Sequence, residues 1–332
     1  MRMLNHLTII DATGELGALA GHMLAQLGAS VTRLIPAAGD SADPVWNRDK
    51  AALSLDDADL PALLSKADIL LRNGPLLGVN ITDYPRLIDV LLTPFACADR
   101  PATDLTLMAR SGLLHIGGDP DREPLRLPGQ QTYALGAIQA VIGALTALHA
   151  RKDKGQRVTV SAYQSAVLAN YREPVMWDWA GKVGGRQGNL LVRGKSGVNQ
   201  VWKVADGWVT WALVDNPGMM RAMVALMHAD DMAGPLAGVE WENILVADLP
   251  QETLKEWEKV VGAFFATKTR AFLADQSNRH GMGLSAIDEP QDVLNSAHHR
   301  ARSAFVPFDD PVSGRTIRVP GPLFRTNRED AR

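Results

Sequence analysis

Chemistry in this chain would have to come from dispersed charges, because no compact catalytic motif is present. The sequence contains no HExxH, GxSxG or Walker A pattern, so a zinc hydrolase, an elbow serine and a P-loop are not signalled. The eight histidines show no metal-ligand spacing, and His298 and His299 are adjacent, so their side chains diverge on a helix. The single Cys97 rules out an internal disulfide and a cysteine-based metal cluster. Ser111 and Ser161 lack an elbow sequence. What remains is a set of cations and amides. Arg48 and Lys50 precede a short apolar run, and Arg72 and Asn73 follow one directly. Such groups past strand ends suit a phosphate-bearing ligand. The segment Gly181–Gly197 adds six glycines and four cations, Lys182, Arg186, Arg193 and Lys195. It reads as a solvated linker or as a lid over an anion. Asp119, Asp121 and Glu123 lie in a Gly/Pro/Arg loop, where surface ion pairs are the default.

Glycines 14, 17 and 21 follow the first apolar run in a G-x-x-G-x-x-x-G spacing. Dinucleotide binding calls for G-x-G-x-x-G and an acidic residue after the second strand. Here that strand ends in Arg33-Leu34-Ile35-Pro36. None of the four tyrosines, Tyr84, Tyr133, Tyr163 and Tyr171, has lysine four positions on. An NAD-dependent oxidoreductase is therefore the weakest of the readings, and close helix–sheet packing is the plainer role for these glycines.

The elements that would position these residues alternate. Leu7–Ile10 reads as a strand, the segment after it as a helix ending near Gly28, and Ser30–Ile35 as a second strand. Strands follow at Ala51–Leu55, Asp68–Leu71 and Val90–Thr93. Helices are predicted over Asp59–Lys66, Tyr84–Asp89 and Asp104–Ser111. This βαβ order implies a parallel sheet and an α/β fold. Tyr133–Arg151 is apolar on every side, so it reads as a helix inside a large domain whose N-terminus could face an anion. It is followed by a strand at Arg157–Ser161 and one helix over Ala162–Ala180. From Val198 the pattern becomes α+β: a hairpin of Gln200–Val204 with Trp208–Leu213, then helices at Pro217–Met227, Leu254–Phe265 and Lys268–Asn278. The tail contains a short helix near Pro290–Asn295 and a hairpin-like segment, Phe305–Val319, before Pro320–Arg325. With 332 residues, room exists for one large domain or two ordinary ones. The net charge of −3 gives no electrostatic case for nucleic acid or an anionic membrane. The absence of a long apolar run or signal pattern leads us to expect a cytoplasmic protein that does not span a membrane.

Several segments, in order, resemble one family. They are IIDATGELGALAGHMLAQLGASVTRLIP, NRDKAALSLD, ADILLRN, LLTPFACADRPATDLTLMARSGL, ARKDKGQRVTVSAYQSA and the C-terminal stretch from Asp288 to Arg325. Together they resemble the class III CoA-transferases, the CaiB/BaiF family. That resemblance implies a Rossmann-like, CoA-binding large domain at 1–197, a small α+β domain at 198–285, and a segment at 286–332 returning to the large domain. It also implies two subunits interlocked like chain links. The implied chemistry moves CoA from an acyl-CoA to a carboxylic acid, without a metal, through an enzyme aspartate that forms an anhydride and then a thioester. The implied CoA-binding set is Gly14, Leu16, Arg48, Lys50, Arg72, Asn73, Arg110 and Ser111.

The same resemblance places the nucleophilic aspartate at the entrance of the long apolar helix. Counting back from Leu148 lands on Tyr133, beside Gln131 and Thr132, and no carboxylate lies between Glu123 and Asp153. No catalytic residue is therefore assigned. Two readings stay open. One is a non-catalytic family member, either a structural subunit paired with a complete family member or a CoA-ester binder, the assembly being a homodimer or such a heterodimer. The other is an active acyl-CoA:carboxylate CoA-transferase using a different carboxylate, Asp121 or Glu123. The acyl donor and acceptor are not legible, since pocket-shaping segments are where the resemblance is thinnest.

Overall fold

The computed structural model describes residues 3–36, 43–76, 78–96, 100–193 and 195–322, with only the main chain of Arg193. Cys97 and the end of the C-terminal segment lie outside these residues. Two compact units are present. The first comprises the described residues before Gly118, Pro124–Gly184 and those after Asn295; the second comprises Gly118–Glu123 and Gly185–Asn295.

The first unit is built on six parallel strands: β1 (Thr8–Ala12), β2 (Ser30–Ile35), β3 (Ala51–Ser54), β4 (Ile69–Arg72), β5 (Ile88–Thr93) and β6 (Arg157–Ser161). Their order is β3-β2-β1-β4-β5-β6, so the order reverses between β1 and β4. Ligands in open α/β sheets bind outside the carboxyl ends of strands at such a reversal. The strands are apolar runs because helices cover the sheet: Ile9, Ile10, Ile69, Leu70, Ile88 and Val90 are fully enclosed.

The helices of this unit are α1 (Ala18–Gln26), α2 (Pro44–Asn47), α3 (Leu60–Lys66), α4 (Asp104–Arg110), α5 (Gln131–Ala150), α6 (Ala162–Ala169) and α7 (Arg172–Ala180). Helix α5 begins two residues earlier than predicted, and it is not enclosed on every side. Its small-residue face, Gly136, Ala137, Ala140, Ala144 and Ala147, is buried in the core shared with β5, β6 and α1, while Ile138 and Ile142 remain exposed. A uniformly apolar helix carries no mark of which face is covered. By length and composition α5 is also apolar enough to cross a membrane, a property that core helices share.

Of the three glycines that follow β1, Gly14 faces open space, and Gly21, within α1, is required by packing. A Cβ on Gly21 would come within 2.1 Å of the Asp11 carboxylate and 2.9 Å of the Lys50 ammonium. Those two groups form an ion pair of 2.7 Å between β1 and the start of β3, with both side chains fully enclosed. Lys50 also donates to the Ala18 carbonyl and to Asn47 Oδ1, each at 2.8 Å.

Three predicted elements are corrected. Tyr84–Asp89 is not a helix: a 3-10 turn at Ile81–Asp83 precedes β5, and Asp89 lies within that strand. A carboxylate in a central strand looks out of place in sequence, but here two arginines neutralise it. The predicted helix over Ala162–Ala180 is two helices, broken at Asn170, whose side-chain amide donates to the Ser111 carbonyl. The predicted loop Gly181–Gly197 contains an antiparallel hairpin, β7 (Leu190–Arg193) with β8 (Ser196–Asn199). The glycine-rich composition hid the apolar run Leu190-Leu191-Val192.

The second unit continues with β9 (Val201–Val204) and β10 (Gly207–Thr210), then α8 (Pro217–His228), α9 (Gln251–Ala266), α10 (Arg270–His280) and β11 (Ser285–Ala286). Strands β9, β10 and β11 form an antiparallel sheet. Its core is aromatic: Phe265 lies edge-on to Trp202 and Trp211, with centroids 5.6 and 5.7 Å away. Both indoles donate to carbonyls, Trp202 to Trp211 and Trp211 to Met282. After α11 (Pro290–Asn295), α12 (Ala297–Ala301) leads to the hairpin of β12 (Phe305–Asp309) and β13 (Thr316–Pro320). This hairpin belongs to the first unit, where Arg48 donates to the Pro320 carbonyl at 2.6 Å.

Candidate functional site

At the carboxyl ends of β4 and β5, beside the turn after β1, the first unit opens into a cavity of about 830 Å³. Three guanidiniums line it: Arg72 at the end of β4, Arg157 at the start of β6, and Arg100 in the loop after β5. Two of them converge on Asp89. Arg72 grips its carboxylate with two hydrogen bonds of 2.6 and 2.8 Å, and Arg157 adds a third of 2.7 Å. Burial alone would raise the Asp89 carboxyl, but hydrogen bonds from Arg72 and then Arg157 hold it below the usual carboxylate range. Two cations on one anion leave a net positive charge at the cavity wall, and Arg157 is half exposed there. Arg72 also donates to the Gly74 carbonyl at 2.8 Å. Asn73 bridges the site: its amide donates to the Leu92 carbonyl and its oxygen accepts the Gly14 N–H at 2.8 Å.

A second cavity, of about 570 Å³, adjoins the entrance of α5. Glu15, Leu16 and Tyr133 line both cavities. Glu15 projects from the glycine turn after β1, and the Gln130 amide approaches it at 3.5 Å.

The entrance of α5 does not await an anion. The buried Asp104 at the start of α4 occupies it. Asp104 Oδ1 accepts the Thr132 N–H at 2.8 Å, the Thr132 hydroxyl at 2.6 Å and the Tyr133 N–H at 3.1 Å. A carboxylate against the positive end of a helix dipole is favourable, so the anion slot expected from sequence is filled from within. Tyr133 donates its hydroxyl to the Ala102 carbonyl at 2.9 Å. Its phenol is pushed above the usual tyrosine value by burial first, then by the charges of Glu15 and Asp104. It therefore stays a neutral phenol and is a poor nucleophile at neutral pH.

Of the residues anticipated for CoA, Leu16, Arg72 and Asn73 line the first cavity, and Gly14 is tied to Asn73. Arg48, Lys50, Arg110 and Ser111 line neither cavity. Arg48 is held by the Val45 and Pro320 carbonyls, and Lys50 is sealed against Asp11. Arg110 is exposed at the end of α4, and the Ser111 hydroxyl donates to the Met108 carbonyl. Asp121 and Glu123 pack with the second unit, where Arg186 donates to the neighbouring Asp119 carbonyl. Sequence reasoning passed over Arg100, Arg157 and Glu15. Glu15 had a signal, a carboxylate inside a glycine turn directly after a central strand. Arg157 had none, since it looked like the first residue of an ordinary strand. Among the described residues no group of three or more His, Cys, Asp or Glu is placed to hold a metal ion.

The sequence profile of CoA-transferase family III matches residues 4–332. The chain belongs to CoA-transferase family III. As a family III protein it is similar to the succinyl-CoA:(R)-benzylsuccinate CoA-transferase subunit BbsE of Thauera aromatica, with 26% identity over 94% of this chain and 85% of that one. It is also similar to the succinyl-CoA–D-citramalate CoA-transferase of Chloroflexus aurantiacus, at 23% identity over 90% and 81%. Among solved structures, a CaiB/BaiF family protein from Brucella suis superposes with a TM-score of 0.77 at 20% identity, covering 97% of this chain and 92% of that one. Rv3272 from Mycobacterium tuberculosis gives 0.74 at 19% identity, over 98% and 93%. These two share the fold, a mixed α/β architecture around a parallel sheet.

Proposed function

We propose that this family III protein binds an acyl-CoA thioester in the arginine-lined cavity and works as the non-catalytic half of a heteromeric CoA-transferase. A partner from the same family would supply the carboxylate that receives the acyl group. The observation that carries this reading is the entrance of α5. Gln131, Thr132 and Tyr133 stand there, Thr132 is fixed by Asp104, and Tyr133 is a phenol held by Ala102. None of these side chains forms an acyl anhydride. CoA brings a pyrophosphate, a 3′-phosphate and an adenine, and guanidiniums recognise such phosphates in bidentate fashion. Arg100 and Arg157 supply that chemistry, while the buried Arg72, closed on Asp89 and the Gly74 carbonyl, adds positive charge behind them. The BbsE relative is itself a subunit, which favours the heteromeric form over the homodimer. The strand order of the sheet supports the Rossmann-like character of the large domain, and dimer formation and cytoplasmic residence belong to the same proposal.

The second reading is an active transferase that uses another carboxylate. One observation favours it: Glu15 stands beside Tyr133 and lines both cavities. The experiment is incubation with acyl-CoA, hydroxylamine trapping and mass spectrometry of the chain alone and mixed with a complete family member. The proposal expects CoA binding without a covalent adduct on this chain, and an adduct on the partner. A hydroxamate or CoA thioester on Glu15, or on any carboxylate of this chain, overturns it.

A further inference from the structure

The two cavities share one wall and differ in charge. The first presents Arg72, Arg100 and Arg157. The second is walled by Leu16, Leu19, Ala134 and the indole of Trp46, and the charged side chains lining it are Glu15 and Asp43. Among the described residues no cation lines this second cavity. Its two side-chain amides are already engaged: Gln131 donates to the Pro128 carbonyl at 2.7 Å, and Gln130 points to Glu15. Asp43 is fixed as a helix cap, accepting the Val45 N–H at 2.8 Å. Trp46 is fixed edge-on by His22, with centroids 5.7 Å apart. The cavity thus offers an apolar surface and a rigid indole. Its one shared boundary with the arginine-lined cavity is the wall of Glu15, Leu16 and Tyr133.

We propose that the second cavity receives the acyl group of the bound thioester, and that its acidic, cation-free lining selects an uncharged apolar or aromatic acyl group over one ending in a carboxylate. This inference rests on the reading that CoA occupies the first cavity. An acyl chain leaving that cavity crosses Leu16 and Tyr133 and meets Leu19, Ala134 and Trp46, which remove apolar surface from water. An aromatic acyl group also gains offset or edge contacts with the indole. A succinyl group would instead carry its free carboxylate toward Glu15 and Asp43, and like charges in a partly desolvated cavity repel. Both curated relatives described above are named for succinyl-CoA, so this chain would differ from them at the acyl end while sharing the CoA end.

The test is isothermal titration calorimetry on the full chain with CoA, succinyl-CoA, hexanoyl-CoA and benzoyl-CoA. The expected result is binding of all four, with the two neutral thioesters on the order of tenfold tighter than succinyl-CoA, a modest charge–charge penalty at partial exposure. Glu15→Gln should narrow that gap, chiefly by strengthening succinyl-CoA. Trp46→Ala should weaken benzoyl-CoA several-fold and leave free CoA unchanged. If CoA binds while succinyl-CoA binds as tightly as the neutral thioesters, the inference is overturned and the CoA reading stands. If CoA itself fails to bind, the CoA reading is overturned and the acyl-group assignment goes with it.

Discussion

His22 shows how a buried polar side chain shapes the behaviour of this chain at the residue scale. It lies on α1, enclosed between Trp46 and the Arg48–Asp49 turn. Burial first, then the positive charge of Arg48, lowers its pKa from 6.5 to about 4. The unfolded chain therefore takes up this proton near pH 6.5, while the folded chain resists it until about pH 4. Stability contributed by neutral His22 is complete above pH 6.5 and drains as pH falls toward 4, by up to about 3 kcal/mol. Urea midpoints measured from pH 7.5 to 4 should fall for the wild type and fall less for His22→Gln; parallel slopes would contradict the assignment. The Asp89 cluster works in the opposite sense of charge. Its depressed carboxyl keeps Arg72 and Arg157 paired throughout the physiological range and positions both at the cavity wall.

Between β1, α1 and β3, packing is decided by a single missing methyl group. Gly21→Ala would ordinarily favour a helix, by up to about 1 kcal/mol. Here the added Cβ would overlap the Asp11 carboxylate, whose partner Lys50 is equally enclosed. Separating a buried ion pair costs about 3–5 kcal/mol, so the clash outweighs the propensity gain. Chemical denaturation should show Gly21→Ala destabilised by at least about 2 kcal/mol; a neutral or stabilising effect would show that the pair is not rigidly held. The same elements give Gly21 a packing role rather than a phosphate-binding one, since its closest approach is to a carboxylate, which repels phosphate. The N-terminus of α5 follows the same logic, because Asp104 satisfies its N–H groups before any ligand arrives.

At the scale of the whole molecule, the described chain leaves several large apolar side chains exposed around α7. Tyr171, which caps α7, and Val175, Trp177 and Trp179 on it are 66, 56, 60 and 81% exposed, and Ile142 of α5 is 52% exposed. Single exposed apolar residues are ordinary, but two tryptophans on one short helix and a tyrosine at its cap mark an interaction surface. The proposed dimer, with a second copy or with a complete family member, would cover it. Multi-angle light scattering should give twice the chain mass, and Trp179→Glu should shift the population toward monomer. A monomeric wild type that also fails to pair with a family member would remove the dimer from the proposal.

The alternation of strands and helices over the first hundred residues was legible in the sequence, because hydrophobic period and turn residues are local properties. Family resemblance was legible too, since ordered segments survive in the primary structure. So was the absence of a carboxylate from Gln131 to Ala150. The pairing of charges was not. Lys50 and Arg157 look alike in sequence as cations at the edge of a strand, yet Lys50 is sealed against Asp11 while Arg157 is half exposed at a cavity wall. In sequence Asp89 reads as the end of a helix and Arg157 as the start of an ordinary strand, and the structure places them opposite one another in register. Glu15 became a candidate only when the fold set it against Tyr133, more than a hundred residues away in the chain. Composition and spacing report what a side chain can do. Which partner it meets depends on long-range packing, and packing alone decided whether each of these charges is neutralised within the protein or offered to a ligand.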